Sequence, residues 1–310
     1  MRHRTGRVLH RAMTTKQNMQ FLDSLCDIAR PAPKKFWGLP SVINFFLGGT
    51  AAGFYILLGL TEATGDRQSF SAPWGGLLAA ALVMSGFASL ALEAGRPLRA
   101  RHLAAHLKRS WMSREAATGL FFVVAAILDS LHGSLIIRCL ALAAACTFLS
   151  SQGLMLRRCT AVPVWNDPAV PLLFISGGLA GGYALLLFNR CGFFMQQCDI
   201  SPGVNIIAIA CLGLNFAAWA VLLLRRRPGD LQPVGSCLLQ PAKVLIVMGI
   251  GQFLPIVFLT IAGPWALNSS IRTAAGLLFI TAVVILMGSL AQKLWLMRCA
   301  QYLCGMRLER

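Results

Sequence analysis

Long apolar runs separated by short polar segments rich in Lys and Arg fill the chain from about residue 41 onward. Eight of these runs approach or exceed the roughly 20 apolar residues that carry a helix across a bilayer. They lie at about 41–60, 73–92, 115–131, 135–155, 169–188, 203–224, 243–263 and 273–297. The pattern predicts an all-α membrane protein with eight transmembrane helices. Pro40, Pro73, Pro168, Pro202 and Pro241 stand at or just before the starts of runs, where a missing N–H costs a helix little. Pro255 is interior to the seventh run and predicts a kink there.

One stretch occurs twice. FWGLPSVINFFLGGTAAGFYILL, residues 36–58, aligns 128 positions later with VWNDPAVPLLFISGGLAGGYALL, residues 164–186, and ten of 23 positions are identical. Shared apolar residues would be cheap, but Trp37/Trp165, Pro40/Pro168 and Tyr55/Tyr183 fall in register as well. Each copy opens on a Trp expected at the membrane interface. Gly49 and Gly53, like Gly177 and Gly181, have the spacing that lets membrane helices approach closely. The repeat predicts two parallel four-helix bundles, residues 37–162 and 163–298. A basic leader, 1–36, expected to be disordered, precedes them, and a cytoplasmic tail, 299–310, follows.

Composition sharpens this picture. At 310 residues, 56% hydrophobic and 13% charged, with a mean hydropathy of +0.66, the chain is excluded from the soluble globular class. A net charge of +17 would suggest nucleic acid in a soluble protein, but here the cations sit between membrane runs, so no nucleic-acid partner is expected. Of 28 Lys and Arg residues, 24 fall on one side of an eight-span topology and four on the other: Arg67, Arg138, Arg190 and Arg272. The positive-inside rule places both termini in the cytoplasm. The first apolar run begins near Val42, behind the leader, which does not read as a cleavable signal peptide. None of the ten cysteines forms a C-x-x-C pair, so no iron–sulfur cluster is expected in this chain. Cys191 and Cys198 share a loop and are either a disulfide or two separate thiols.

The most informative polar segment runs from Glu93 to Glu115, EAGRPLRARHLAAHLKRSWMSRE. Carboxylates bracket a basic interior, and ionisable groups at a membrane edge are costly to desolvate, which marks them as candidate functional residues. The competing reading is a basic loop in which Glu93 and Glu115 neutralise Arg96 and Arg114. His102 and His106 are four apart, but axial haem ligands belong inside the bundle, so haem is not expected. Glu62 and Asp129 lie toward the opposite membrane face, as part of a proton path or as capping and water-contacting groups.

FFLGGTAAGFYILL, LEAGRPLRA, RSWMSREA and VPVWNDPAVPLLF together resemble the integral membrane anchors of molybdopterin oxidoreductases, the NrfD/PsrC/DmsC-like group. The resemblance covers about residues 37–300 and is carried chiefly by RSWMSRE and the G-R-P turn. It implies a subunit, not itself catalytic, that exchanges electrons and protons with a membrane quinone, menaquinone or ubiquinone. Its implied partners are a ferredoxin-like iron–sulfur subunit and a molybdopterin catalytic subunit. In the dimethyl-sulfoxide-reductase type the acid of S-R-E belongs to the quinol site, which maps onto Glu115. Where that type often carries His before the G-x-P turn, this chain has Glu93. In the polysulfide-reductase type, polar residues early in the first span contact the quinone, and Asn44 is the candidate here.

The chemistry stands beside the name. A quinol oxygen needs a hydrogen-bond partner and a proton acceptor, and a carboxyl at the membrane edge supplies both. Asn44, Glu93 and Glu115 fall at the same ends of their spans. Arg96 and Arg114 are placed to pair with the carboxylates. Trp111 is placed either to stack on a quinone ring or to sit in the interfacial belt. The rival class is a secondary transporter built from parallel repeats, which places its site near the midplane, whereas these acids cluster at span ends. A purely structural membrane scaffold is a third class.

Overall fold

The computed structural model describes residues 37–63, 72–93, 107, 110–159, 162, 164–192, 202–225, 240–265 and 271–300. The leader, residues 301–310 and most of the 94–109 segment lie outside the described residues, and so do Arg96, His102, His106 and Cys198. Of Glu93 and Cys191 only the backbone is described.

Every regular element among the described residues is a helix. They are α1 Leu39–Ala63, α2 Ala72–Glu93, α3 Trp111–His132, α4 Leu135–Arg157, α5 Ala169–Gly192, α6 Pro202–Leu224, α7 at 241–265 and α8 Ile271–Ala300. All eight are long and apolar enough to cross a membrane, so this is a multi-pass membrane protein. α6 and α7 begin at Pro202 and Pro241.

α7 departs from the expected form. Leu245–Phe253 is π-helical and passes into ordinary α-helix at Leu254, one residue before Pro255. The Leu254 N–H bonds back five residues to the Gly249 carbonyl. The wider turn accommodates a pyrrolidine ring that would otherwise crowd the preceding turn of an α-helix.

α1 packs against α2 and α4, and the order α1–α2–α3–α4 closes on itself. The same neighbour relations recur for α5, α6, α7 and α8. Between the halves α1 lies on α5, flanked by α4 on α5 and α8 on α1. The apolar windows of α1 and α5 are each 72% buried, against 33% in α2 and α6, which makes the α1–α5 pair the axis of the molecule.

That pair runs parallel, because its contacts ascend together. The Trp37 and Trp165 rings stack at 5.3 Å, and Phe45 meets the edge of Phe174 at 5.3 Å. Further along, Gly53 and Gly182 let the two backbones touch. A Cβ on Gly53 would run into the Gly178 carbonyl, and one on Gly182 into the backbone of Gly53 and Phe54. Lipid is as apolar as leucine, so close backbone packing is what holds such a crossing.

Two details correct the expectations. Trp165 is not an interfacial residue: it is fully buried and donates its indole N–H to the Leu296 carbonyl at 3.1 Å. The backbone contacts on α5 use Gly178 and Gly182, with Gly181 against Thr50, whereas Gly177 is turned toward Asn215 and Gln292. The missing side chain at Gly177 makes room for amides, not for α1.

Candidate functional site

RSWMSRE starts α3. The Ser110 hydroxyl accepts the Ser113 N–H at 3.4 Å and caps the helix, which sets Glu115 just over one turn inside. From there Glu115, Gly119, Phe122, Ala126 and Asp129 form one buried stripe down α3. The stripe carries one carboxyl near each end, about 21 Å apart at 1.5 Å per residue. Between them the rings of Phe122, Phe148 and Phe87 pack against one another, with neighbouring centroids 6.1 and 6.3 Å apart.

At the end where α1 begins, Asn44 Nδ2 donates to Glu115 Oε1 at 3.2 Å, and each of these residues is 1% exposed. Asn44 Oδ1 is buried with no hydrogen-bond partner. The structure therefore brings two of the sequence candidates into direct contact across 71 residues of chain.

Trp111 and Arg114 go elsewhere. The Arg114 guanidinium lies 4.5 Å from the Trp111 ring centroid, and its Nε donates to the Leu107 carbonyl at 2.9 Å. One face of Trp111 is thus covered by arginine. The placement of Glu93 and Arg96 relative to this site falls outside the described side chains.

Two buried residues complete the cluster, and neither was singled out in the sequence. The Gln152 amide lies beside the Glu115 carboxyl without a well-formed hydrogen bond to it, and both its polar atoms are unpartnered. It rests on the bare turn of Gly48 and Gly49, where added Cβ atoms would stand 2.7 Å from Nε2 and 3.2 Å from Oε1. Lys293 Nζ would be 3.4 Å from the same Cβ on Gly49, is 3% exposed, and has no hydrogen-bond partner. Its contact is the Phe46 ring, 5.6 Å away.

The charge count places Lys293 among the 24 cations of the basic side. The structure instead buries it, more than a turn inside the end of α8 at Ala300. The available signal was its position in SLAQKLWLM, with apolar residues on both sides.

The second half holds its own polar cluster, composed differently. Gln252 and Gln292 both donate to Asn215 Oδ1, at 2.6 and 2.9 Å. Asn215 Nδ2 donates to Ser176 Oγ at 3.0 Å and to the Leu173 carbonyl at 3.1 Å. This cluster is neutral, and Asn215 satisfies both its donor and its acceptor.

At the far end, Asp129 accepts from the Tyr55 hydroxyl at 2.7 Å and from Arg138 Nε at 3.3 Å, while Arg138 also pairs with Glu62. These residues line a small cleft with Leu58 and Gly59. What the structure shows for Glu62 and Asp129 is an ion-paired clasp through Arg138 that joins α1, α3 and α4.

No protein-family model and no curated protein matches this chain.

Proposed function

We propose that the chain is the membrane anchor and quinone-interacting subunit of a bacterial molybdopterin oxidoreductase. In this reading it passes electrons between the membrane quinone pool and a ferredoxin-like iron–sulfur subunit, which serves a molybdopterin catalytic subunit. The observation that carries the reading is the buried Asn44–Glu115 pair, which links the first-span and S-R-E positions that the resemblance singles out.

The residues fit a quinol headgroup. Its hydroxyls need acceptors, and Asn44 Oδ1 is a buried acceptor without a partner, next to a carboxyl able to take a proton. The quinone, when bound, supplies the two-electron, two-proton couple. Glu115 is the group that takes or returns the proton, Asn44 orients that carboxyl through its Nδ2, and the aromatic layer below them keeps bulk water away. The recurrence of the helix-neighbour pattern supports the reading of the fold as two duplicated four-helix bundles. The 24-to-4 charge bias supports an inner-membrane topology with cytoplasmic termini, and with the iron–sulfur partner docked on the basic face.

Glu115→Gln tests the proposal. General acid–base groups contribute about 10²–10⁴-fold. Quinol-linked turnover of the assembled complex is therefore expected to fall at least about a hundredfold, while soluble dyes still exchange electrons with the catalytic subunit. Unchanged quinol-linked turnover refutes the assignment.

One observation favours the transporter reading: the Asn215–Gln252–Gln292 cluster lies well inside the spans, beside the π-helical stretch of α7. Under that reading, Asn215→Leu in proteoliposomes abolishes a solute or ion flux. Under the quinone reading it affects stability alone.

A further inference from the structure

Among the described residues, three carboxyl or amine side chains are buried: Glu115, Asp129 and Lys293. Asp129 is paired in the far clasp. Glu115 and Lys293 both lie at the end where α1 begins, on helices of different halves, with the Gln152 amide beside each of them.

An ammonium in a protein interior is tolerated when a counter-charge or a hydrogen-bond chain reaches it, and is otherwise very costly. Lys293 has the Phe46 ring at 5.6 Å, which offsets only a small part of that cost. A buried polar atom left without a partner is destabilising. Here Asn44 Oδ1, both polar atoms of Gln152 and Lys293 Nζ are all without one, in a single neighbourhood of α1. Four such atoms in one place mark a site for a small polar ligand. Both donors and acceptors are present, as water requires.

Gly48 and Gly49 make the arrangement possible. A side chain at either position would occupy the place of the Gln152 amide, and one at Gly49 would also crowd Lys293. The bare turn of α1 therefore leaves room for the Gln152 amide of α4 to reach toward Lys293 of α8 across the interface between halves.

We propose that Glu115, Gln152 and Lys293 form a hydrated proton-exchange row spanning the two halves, with Lys293 as the proton-exchange partner of Glu115. A proton leaving the Glu115 carboxyl for the Lys293 amine gives a carboxylate and an ammonium. One proton changes hands, no electrons move, and water held by the Gln152 amide is the carrier. This deepens the quinone reading by naming where the proton on Glu115 goes, but the row itself exists whatever delivers that proton.

The test is infrared difference spectroscopy of the purified full-length protein in lipid, with a pH jump and hydrogen–deuterium exchange. The carboxylic C=O band lost in Glu115→Gln is assigned to Glu115. Lys293→Met is expected to shift that band or change its amplitude, and Gln152→Leu to slow its deuterium exchange at least about tenfold. A Glu115 band unaltered in both variants overturns the proposal, as does the absence of any band sensitive to Glu115→Gln. Where Lys293→Met fails to fold, Lys293→Gln and Gln152→Leu carry the same reading. In the assembled complex, Lys293→Met is expected to slow quinol-linked turnover at least about tenfold and Lys293→Arg to restore part of it. An altered band with unaltered quinol turnover upholds the row and removes the quinone reading. An unaltered band with slowed turnover removes the row.

Discussion

Replacing Gly53 by alanine puts a methyl group where α5 already stands. The added carbon would lie 2.6 Å from the Gly178 carbonyl carbon and 2.9 Å from the Leu179 Cα. Non-bonded carbons rest about 3.5–4.0 Å apart, so the two helices must part by about 1 Å. Both obstacles are backbone, and no rotamer change relieves them. Overpacking of this kind costs about 1–3 kcal/mol. Gly53→Ala is expected near the middle of that range, about 2 kcal/mol, because lipid offers no compensating hydrophobic gain. Gly182→Ala strains the same crossing from the other side, so once the helices have separated the second methyl adds less than its single-mutant cost. Gly213→Ala and Gly276→Ala are the controls: their added carbons meet no heavy atom within 4 Å. There the helix propensity of alanine makes the change neutral or stabilising by up to about 1 kcal/mol. Denaturant unfolding of the purified protein in detergent, followed by tryptophan fluorescence, measures all four. If Gly53→Ala unfolds at the same midpoint as Gly213→Ala, α1 and α5 do not cross there.

Arg138→Ala removes the cation shared by Glu62 and Asp129, and breaking such a pair on one side costs about 3 kcal/mol, read in the same unfolding assay. Adding Glu62→Gln and Asp129→Asn to that variant is expected to recover most of the loss; no recovery means the clasp is not electrostatic. For sidedness, cysteines are placed at exposed positions at opposite ends, His132→Cys and Gln240→Cys. An impermeant reagent applied to intact cells is expected to label position 132 and spare 240, and the reverse result inverts the topology and moves the docking face of the partner.

The eight spans were readable because each is an apolar run of membrane length, and the prolines at Pro202 and Pro241 mark starts to the residue. The closeness of α1 and α5 was readable from paired glycines. Which glycine faces which helix was not, since a rotation of one residue exchanges Gly177 for Gly178 without altering the pattern. Asn44 and Glu115 were found as polar residues at span ends. Their direct bond joins helices that are not consecutive in the chain, and only the fold supplies it. Lys293 and Gln152 escaped notice for a different reason. Near the end of a membrane run a lysine ordinarily reaches out to the headgroups, and its apolar neighbours signal burial without showing that α8 carries it against Gly49.

The two halves put their polar residues to different uses, and that contrast locates the chemistry. In the second half, the Gln252 and Gln292 amides of α7 and α8 converge on Asn215 of α6, whose own donor and acceptor are both satisfied, and only Gln252 Oε1 in this neutral cluster lacks a partner. In the first half, α1, α3 and α4 bring together Asn44, Glu115 and Gln152, and α8 adds Lys293 from the other half. That group combines a carboxyl with an amine and leaves several atoms without partners. Protein interiors rarely keep such atoms unless something visits them. If the halves are copies of one ancestral bundle, the neutral cluster holds the scaffold and leaves the other free to carry groups that stability alone would remove. Exchanging protons at one end of the bundle needs a site of the second kind, and the far clasp of Glu62, Asp129 and Arg138 then keeps α1, α3 and α4 in register while it operates.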